Sequence, residues 1–446
     1  MLLIASYYFY MGWEPIYASL LFLTTAIDYV VANRIQRTTK QNHRKLLLIV
    51  SICCNLGILF YFKYYNFFIE NINDLAGSSL TYTRFLLPVG VSFYTFQEMG
   101  YVIDVYRGGL KAERHFGKFA LFVSYFPQLV AGPIERASNL MHQLKENVEL
   151  RYENFSAGGK KIIWGLFKKV VIADNLSPLV DQVYLNPENY SWYWLLIATY
   201  FFAIQIYCDF SGYSDIAIGV ARTMGVRLME NFRLPYLSRS IREFWSRWHI
   251  SLSTWFRDYL YIPLGGNRLG ARRTQINLLL VFIISGFWHG AEWTFIIWGA
   301  LHGLYLVFEL ILSKRKWWNT YSKGPTSWQS IIGTFILFQL VSFAWIFFRA
   351  DNSSDAFTII KNLFTLFESD VAPHRTIQWL GLTGLSFKIF LILSLFIGDK
   401  WIHGLSRGEF SGSLIHRYRM ALYAALIACI VFLGNWGEVQ FIYFQF

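Results

Sequence analysis

Long apolar runs alternate with short polar segments along the whole chain. A helix that crosses a bilayer needs about 20 mainly apolar residues, and runs of this kind recur with few charges inside them. The runs are continuous, whereas the strands of a membrane barrel alternate with a period of two. The pattern predicts an all-α polytopic membrane protein that forms a single domain, residues 1–446, with roughly nine to twelve spans and half-spans. The predicted segments are 15–33, 46–70, 85–105, 117–134, 158–178, 191–222, 275–288, 292–312, 328–348, 386–401 and 418–434.

Composition and charge agree with this class of protein. Only 15% of the 446 residues are charged and 55% are hydrophobic, whereas a soluble domain carries about 25% charged residues. The net charge is +12, and the basic residues collect at the ends of apolar runs, which argues against nucleic-acid binding. The positive-inside rule places the basic segments 34–45 and 232–274 on the cytoplasmic side. The cysteines lack metal or disulfide spacing and are predicted to be small buried residues: Cys53, Cys54, Cys208 and Cys429.

A histidine, His289, lies within the apolar run 276–312, in Ser-Gly-Phe-Trp-His-Gly-Ala. An ionisable side chain at membrane depth is costly and by default marks a functional site. Imidazole also transfers protons near neutral pH. The run is longer than one span requires, and Gly286 and Gly290 weaken the helix around the histidine. Because a break in the membrane is tolerated only inside protein or beside a polar cavity, His289 is predicted to line such a cavity.

The same glycines allow a second interpretation. Gly286 and Gly290, like Gly299 and Gly303 further along, form G-x-x-x-G pairs that let helices pack closely. Function and packing therefore both remain open for His289.

A second histidine, His249, lies in the segment 241–262. Aromatic residues recur there at three- and four-residue spacing, which predicts an amphipathic interfacial helix with arginines on the opposite face. His249 falls on the apolar stripe with Trp245 and Phe256, and its alternative role is a simple hydrogen bond to a carbonyl. His302 is predicted to make an interhelical hydrogen bond.

Polar residues inside the apolar runs also allow two interpretations, one structural and one functional. Gln205, Asp209 and Tyr213 share one helical face, where they form either a structural network or part of a substrate path. The same alternatives apply to Gln97, Glu98 and Asp104.

Several of these motifs resemble those of one known family. Residues 242–268 look like the signature of membrane-bound O-acyltransferases, and most resemble the branch of the bacterial alginate O-acetyltransferases. The segment 285–291 resembles the catalytic-histidine segment of that family. Further similar stretches are 88–100, 127–135, 207–219 and 441–446. Relatives usually begin with an additional hydrophobic segment, so the chain is expected to lack the first segment of the family.

The resemblance implies a fold, a reaction and a location. The fold is a ring of tilted helices around a thinned centre, with funnels from both faces that meet near the histidine. His289 is implied to be the catalytic base, and His249 to assist or orient. Acetyl from cytoplasmic acetyl-CoA would pass to a periplasmic partner protein, and from there to a polysaccharide such as alginate. The protein would lie in the bacterial inner membrane, in contact with lipid and without a bound cofactor or metal.

The predicted substrate-binding residues are Arg242, Arg247, Trp248, Arg257, Trp288, Asp209 and Tyr213. Guanidinium groups suit the phosphates of coenzyme A through paired, charge-assisted hydrogen bonds. Such arginines alternatively meet only anionic lipid headgroups.

Two other functions remain open for the protein. One is D-alanyl transfer from a carrier protein, as in the similar D-alanyl transfer protein for teichoic acids. The other is a non-catalytic transporter subunit for a lipid or sugar. A transporter would more often show inverted repeats, and none is visible in the sequence.

Overall fold

The computed structural model describes residues 1–83, 86–130, 132–146, 151–314, 328–365, 381–406, 418–437 and 441–442. Across these ranges the chain is helical and contains no β-strand. The helices group into two compact units. The first unit consists of residues 1–159, 217–230 and 251–268. The second consists of residues 160–216, 231–250 and 269–446.

Five of the described helical segments are long and apolar enough to cross a membrane. They are Pro15–Arg37, Gln41–Ala76, Trp192–Thr223, Trp293–Leu312 and Ser330–Arg349. The predicted all-α polytopic class is therefore confirmed. Within the most apolar 18-residue stretch of Trp192–Thr223, 83% is buried inside the protein. In the corresponding stretch of Gln41–Ala76 only 17% is buried. The first of these two helices is thus an interior element, and the second exposes most of its surface.

The first unit begins with eight helices. They are α1 Leu2–Met11, α2 Pro15–Arg37, α3 Gln41–Leu59, α4 Tyr65–Ala76, α5 Val91–Arg107, α6 Phe116–Ser124, α7 Phe126–Leu129 and α8 Ala137–Gln143, with a π-helical turn Phe60–Tyr64 between α3 and α4. Helices α2, α3 and α5 pack on one another. Their buried polar groups bond across the helices. Asn55 Nδ2 donates to Asp28 at 2.7 Å, and Thr25 Oγ1 donates to Glu98 at 2.8 Å. This contact favours the structural alternative for Glu98.

The predicted span 117–134 is wrong as a single helix. Helix α6 ends at Ser124, Tyr125 leaves the helical conformation, and the short helix α7 follows. Pro127 lies in the first turn of α7, where a residue without a backbone N–H can start a helix but cannot continue the preceding one.

The remaining helices begin with α9 Tyr152–Leu166, which continues through a π-helical stretch Phe167–Ala173 into α10 Asp174–Leu185. They continue as α11 Trp192–Thr223, α12 Ile241–Arg247, α13 Ile250–Phe256, α14 Ala271–His289, α15 Trp293–Leu312, α16 Trp328–Arg349, α17 Ser353–Phe364, α18 Gly381–Ser406 and α19 Arg419–Leu433. Their buried apolar side chains form one large cluster in the second unit.

Helices α14 and α15 form a tightly packed antiparallel pair in the second unit. The backbone of Gly286 lies against that of Gly299, and a Cβ atom on either glycine would collide with a carbonyl oxygen of the opposite helix. The close packing predicted for these glycines is confirmed. The helix break predicted at the histidine is also present: α14 ends at His289, and Gly290 follows with an extended backbone.

Two further predictions need correction. Residues 241–262 do not form one amphipathic helix, because α12 ends at Arg247 and α13 begins only at Ile250, after His249 with its left-handed backbone. Cys53 is exposed on the surface of α3, whereas Cys208 is buried as predicted. An apolar run that faces lipid is not covered by protein, so apolar sequence alone does not predict burial of each cysteine.

Candidate functional site

His289 is the last residue of α14 and is only 5% exposed. The helix ends there because Gly290 has an extended backbone, with φ −156° and ψ 152°. Aromatic rings surround the imidazole: the ring centroids of Trp288, Trp298 and Phe348 lie 4.9, 5.0 and 5.3 Å from that of His289. The sequence thus places a titratable ring at a helix end, inside an aromatic enclosure of the second unit.

His249 lies in the two-residue gap between α12 and α13 and is fully buried. Its φ of 42° lies in the left-handed region, which non-glycine residues seldom adopt. Asn231 holds it there in two ways. The backbone N–H of Ile250 donates to the Asn231 carbonyl at 3.0 Å, and His249 Nδ1 lies 3.1 Å from Asn231 Oδ1.

These contacts favour one tautomer of His249. Asn231 Nδ2 donates to Ser214 Oγ at 3.4 Å, so Asn231 Oδ1 is the acceptor that faces the imidazole. His249 Nδ1 therefore carries the proton, and the lone pair lies on Nε2. Burial lowers the pKa of His249 to about 3, because desolvation disfavours the charged ring. His249 is thus a neutral base at physiological pH.

One indole connects the two histidines. The ring centroid of Trp288 lies 4.9 Å from that of His289 and 6.3 Å from that of His249. The structure therefore brings both predicted histidines close to a single side chain, within the second unit. Trp288 was also among the predicted substrate-binding residues. Trp248 instead packs into the aromatic core, stacked on Phe244 at 5.5 Å.

The third buried histidine, His302, has the hydrogen bond that was predicted for it. Trp245 Nε1 donates to His302 Nδ1 at 3.3 Å and so links α12 to α15. The ring of Trp298 lies 4.9 Å from His302 and 5.0 Å from His289. His302 thus packs against Trp298, one of the aromatic rings that surround His289.

The three predicted arginines have different surroundings. Arg242 in α12 is exposed, and its backbone N–H donates to Glu309 at 3.1 Å. Arg247 is half-buried and forms an ion pair with Glu243 at 2.5 Å. Arg257 belongs to the first unit and pairs with Asp258 at 2.8 Å. Arg242 is therefore the one of these three whose side chain is both exposed and in the unit that contains the histidines.

Asp209 and Tyr213 take part in a structural network on α11. Lys169 forms ion pairs of 2.7 Å with both Asp209 and Asp174. The backbone N–H of Ile442 donates to Asp209 at 2.7 Å. The ring of Tyr213 lies 4.8 Å from that of Phe441. These contacts hold the C-terminal segment against α11 and favour the structural alternative for both residues.

Two residues that contact His249 were not identified by the sequence analysis. Asn231 is 18 positions away, in a loop without a recognisable motif, and Phe210 places its ring 4.7 Å from the imidazole. Phe210 does lie in the segment 207–219 that resembles the family. A hydrogen-bonding partner for a buried histidine was to be expected on general grounds, but its position was not.

Comparison with known proteins agrees with a multi-pass helical membrane protein. Residues 110–315 match MBOAT, the membrane-bound O-acyltransferase family. A probable alginate O-acetylase AlgI of Pseudomonas putida is 38% identical over 469 residues, which cover 100% of this chain and 94% of that protein. A peptidoglycan O-acetyltransferase of Helicobacter pylori is 38% identical over 391 residues, 82% of this chain and 73% of that protein. A teichoic acid D-alanyltransferase of Streptococcus thermophilus is 31% identical over 282 residues, 58% of this chain and 68% of that protein.

The chain belongs to the membrane-bound O-acyltransferase family. It is an O-acyltransferase embedded in a membrane by several helices.

Proposed function

We propose that this O-acyltransferase transfers acetyl from cytoplasmic acetyl-CoA, across the inner membrane, to a periplasmic partner protein that O-acetylates an extracellular polysaccharide such as alginate. The observation that carries the proposal is the contact of one indole, Trp288, with both imidazoles. This shared contact supports a single reaction centre that includes both His249 and His289.

In this proposal His289 is the general base. A hydroxyl is a poor nucleophile, and an imidazole within hydrogen-bond reach removes its proton as the oxygen attacks the thioester carbon. The C–O bond forms and the C–S bond breaks, and coenzyme A leaves as the thiol after it receives the proton from the imidazolium. The aromatic enclosure of His289 excludes water, which would otherwise compete with the acceptor hydroxyl.

His249 orients the reacting groups rather than exchanging the proton. Its pKa of about 3 keeps the ring neutral, and its bond to Asn231 fixes both tautomer and ring position. A fixed Nε2 lone pair can accept a hydrogen bond from the acceptor hydroxyl and hold it for attack.

The choice of acetyl rests on two relatives that cover most of this chain. The similar proteins of Pseudomonas putida and Helicobacter pylori are named as O-acetylating enzymes. The D-alanyltransferase covers less of this chain and is less similar. Arg242, which is exposed in the unit that holds the histidines, would bind a phosphate of coenzyme A.

The test compares His289→Gln with the wild-type protein, both purified in detergent and supplied with radiolabelled acetyl-CoA. We expect acetyl transfer to an acceptor fraction from the same cells to fall about 10²–10⁴-fold, the usual contribution of a general base. His142→Gln, which removes an exposed histidine of the first unit, should keep its activity and is the matched control.

Wild-type acetylation by a monodisperse His289→Gln protein would contradict the catalytic assignment. Transfer from a D-alanyl carrier-protein thioester, but not from acetyl-CoA, would contradict the choice of donor and favour the D-alanyl reaction.

A further inference from the structure

Phe348 adds a third helix to the aromatic enclosure of His289. Trp288 belongs to α14 and Trp298 to α15, whereas Phe348 comes from α16. The ring centroid of Phe348 lies 5.3 Å from that of His289 and 5.2 Å from that of Trp298. Phe348 is 1% exposed, so its ring is a packed part of the wall beside the imidazole.

Other side chains support the ring of Phe348 from behind. It contacts the rings of Phe295 at 5.0 Å and Trp345 at 5.1 Å, both edge to face. Trp345 is fixed in turn, because its Nε1 donates to Tyr236 Oη at 3.1 Å. That hydroxyl donates to the Ala203 carbonyl at 2.6 Å. A close-packed wall of this kind has no free space into which the ring of Phe348 could retreat.

In the proposed transfer, the acyl group lies close to this wall. The hydroxyl that gives its proton to His289 lies about 3 Å from the imidazole, and the thioester carbon that it attacks lies about 3–3.5 Å further. The ring centroids of Trp298 and Phe348 are 5.0 and 5.3 Å from that of His289. Additional methylenes on an acyl chain that extends toward these rings would have to displace them, and overpacking of this kind is destabilising.

We propose that Phe348 sets the acyl-length limit of this O-acyltransferase, because its ring occupies the space into which a chain longer than acetyl would extend. The inference rests on the proposed acetyl transfer and adds to it a residue that selects the acyl group. Phe348 takes no part in the bond changes. It acts on specificity through the contact of its ring with the end of the acyl chain.

Removal of the ring tests this inference. Phe348→Ala leaves an apolar cavity beside His289, and such cavities stay dry and accept apolar guests of matching size. The additional methylenes of a longer acyl chain can then lie in the cavity. Phe347→Ala is the matched control, because Phe347 is also buried on α16 but its ring contacts those of Phe343 and Phe357.

The assay supplies the purified full-length protein with acetyl-CoA or butyryl-CoA and measures kcat/KM for transfer to the acceptor fraction. The wild type should favour acetyl over butyryl by about 100-fold or more, since one methylene is worth about 10–200-fold in a fitted apolar pocket. Phe348→Ala should reduce this preference by about tenfold or more, whereas Phe347→Ala should keep it. Phe348→Leu and Phe347→Leu form a milder pair if the alanine variants are not monodisperse.

The possible failures are distinguishable. A wild-type protein that uses acetyl-CoA and butyryl-CoA equally well would keep the proposed function and exclude the length limit. A preference that Phe348→Ala leaves unchanged, or that both alanine variants reduce equally, would contradict the role of Phe348. A wild-type protein that uses neither thioester would contradict the proposed donor and, with it, this inference.

Discussion

The backbone of His249 is the most unusual single-residue feature of the site. A non-glycine residue in the left-handed region costs about 1–3 kcal/mol and persists only where its surroundings fix it. Here Asn231 supplies both fixing contacts, one to the backbone that follows and one to the imidazole. The ring of the residue held in this strained conformation lies 6.3 Å from that of Trp288.

The partner of His249 gives a pH-dependent prediction. In Asn231→Asp a carboxylate replaces the amide beside Nδ1, and an opposite charge at this distance raises a histidine pKa by about 1 to 3. A raised pKa means that the ring becomes protonated as the pH falls, whereas His249 in the wild type stays neutral because its pKa is about 3. We expect kcat/KM of the variant to fall more steeply than that of the wild type between pH 7.5 and about 5.

The control for this prediction is Asn231→Ala, which removes the hydrogen bond without adding a charge. It should lower activity across the pH range and leave the shape of the profile unchanged. Identical profiles for Asn231→Asp and the wild type would show that protonation of His249 does not limit the reaction.

At the level of the helices, α14 and α15 position His289 through glycine contacts. Gly286→Ala places a Cβ against the carbonyl oxygen of Phe295, which is backbone and cannot rotate away. The two helices must then separate, at a cost of about 1–3 kcal/mol for overpacking. We expect a lower melting temperature in detergent, together with lower acetyl transfer by the protein that remains folded.

The matched control is Gly159→Ala in α9, where a Cβ meets nothing within 4 Å. Alanine stabilises a helix interior relative to glycine by about 0.5–1 kcal/mol. The melting temperature of this variant should therefore stay equal or rise slightly. The packing account of Gly286 is wrong if both alanine variants melt at the same temperature as the wild type.

Periodicity and length were sufficient to predict the long helices but not the interruptions between them. The predicted segments 191–222 and 292–312 agree closely with α11 and α15, because an uninterrupted apolar run has few alternatives to a helix in a membrane. The segments 117–134 and 241–262 were wrong. Their breaks depend on Pro127 and on tertiary contacts of His249, which a hydrophobic pattern does not record.

The same distinction applies to the site. Residues within motifs could be predicted from the sequence, whereas residues that meet only through tertiary contacts could not. Both histidines were predicted from their motifs, and His302 from its place in an apolar helix. Asn231 was not, because its partnership with His249 exists only after the loop 224–240 has folded back onto α13. Arg247 and Arg257 were predicted as substrate ligands from charge alone, but each is engaged by a neighbouring acid.

For the whole molecule, the distribution of basic residues predicts the orientation in the membrane. The segments 34–45 and 232–274 carry five and eight basic residues and are predicted to lie on the cytoplasmic side. The helical segment Gln41–Ala76 follows the first of them and is long and apolar enough to cross the membrane once. Residues after Ala76 should therefore lie on the opposite side.

Cysteine labelling tests this orientation in intact cells with a reagent that does not cross the membrane that contains the protein. In a background with Cys53 replaced, Ser79→Cys should react from outside, whereas Asn42→Cys and Ser246→Cys should react only after the membrane is opened. All three positions are exposed in the structure, so a lack of reaction reflects sidedness rather than burial. Labelling of Ser246→Cys from outside would contradict the cytoplasmic position of α12. It would also remove the basis for acetyl-CoA binding at Arg242, because acetyl-CoA is a cytoplasmic metabolite that a periplasmic α12 could not meet.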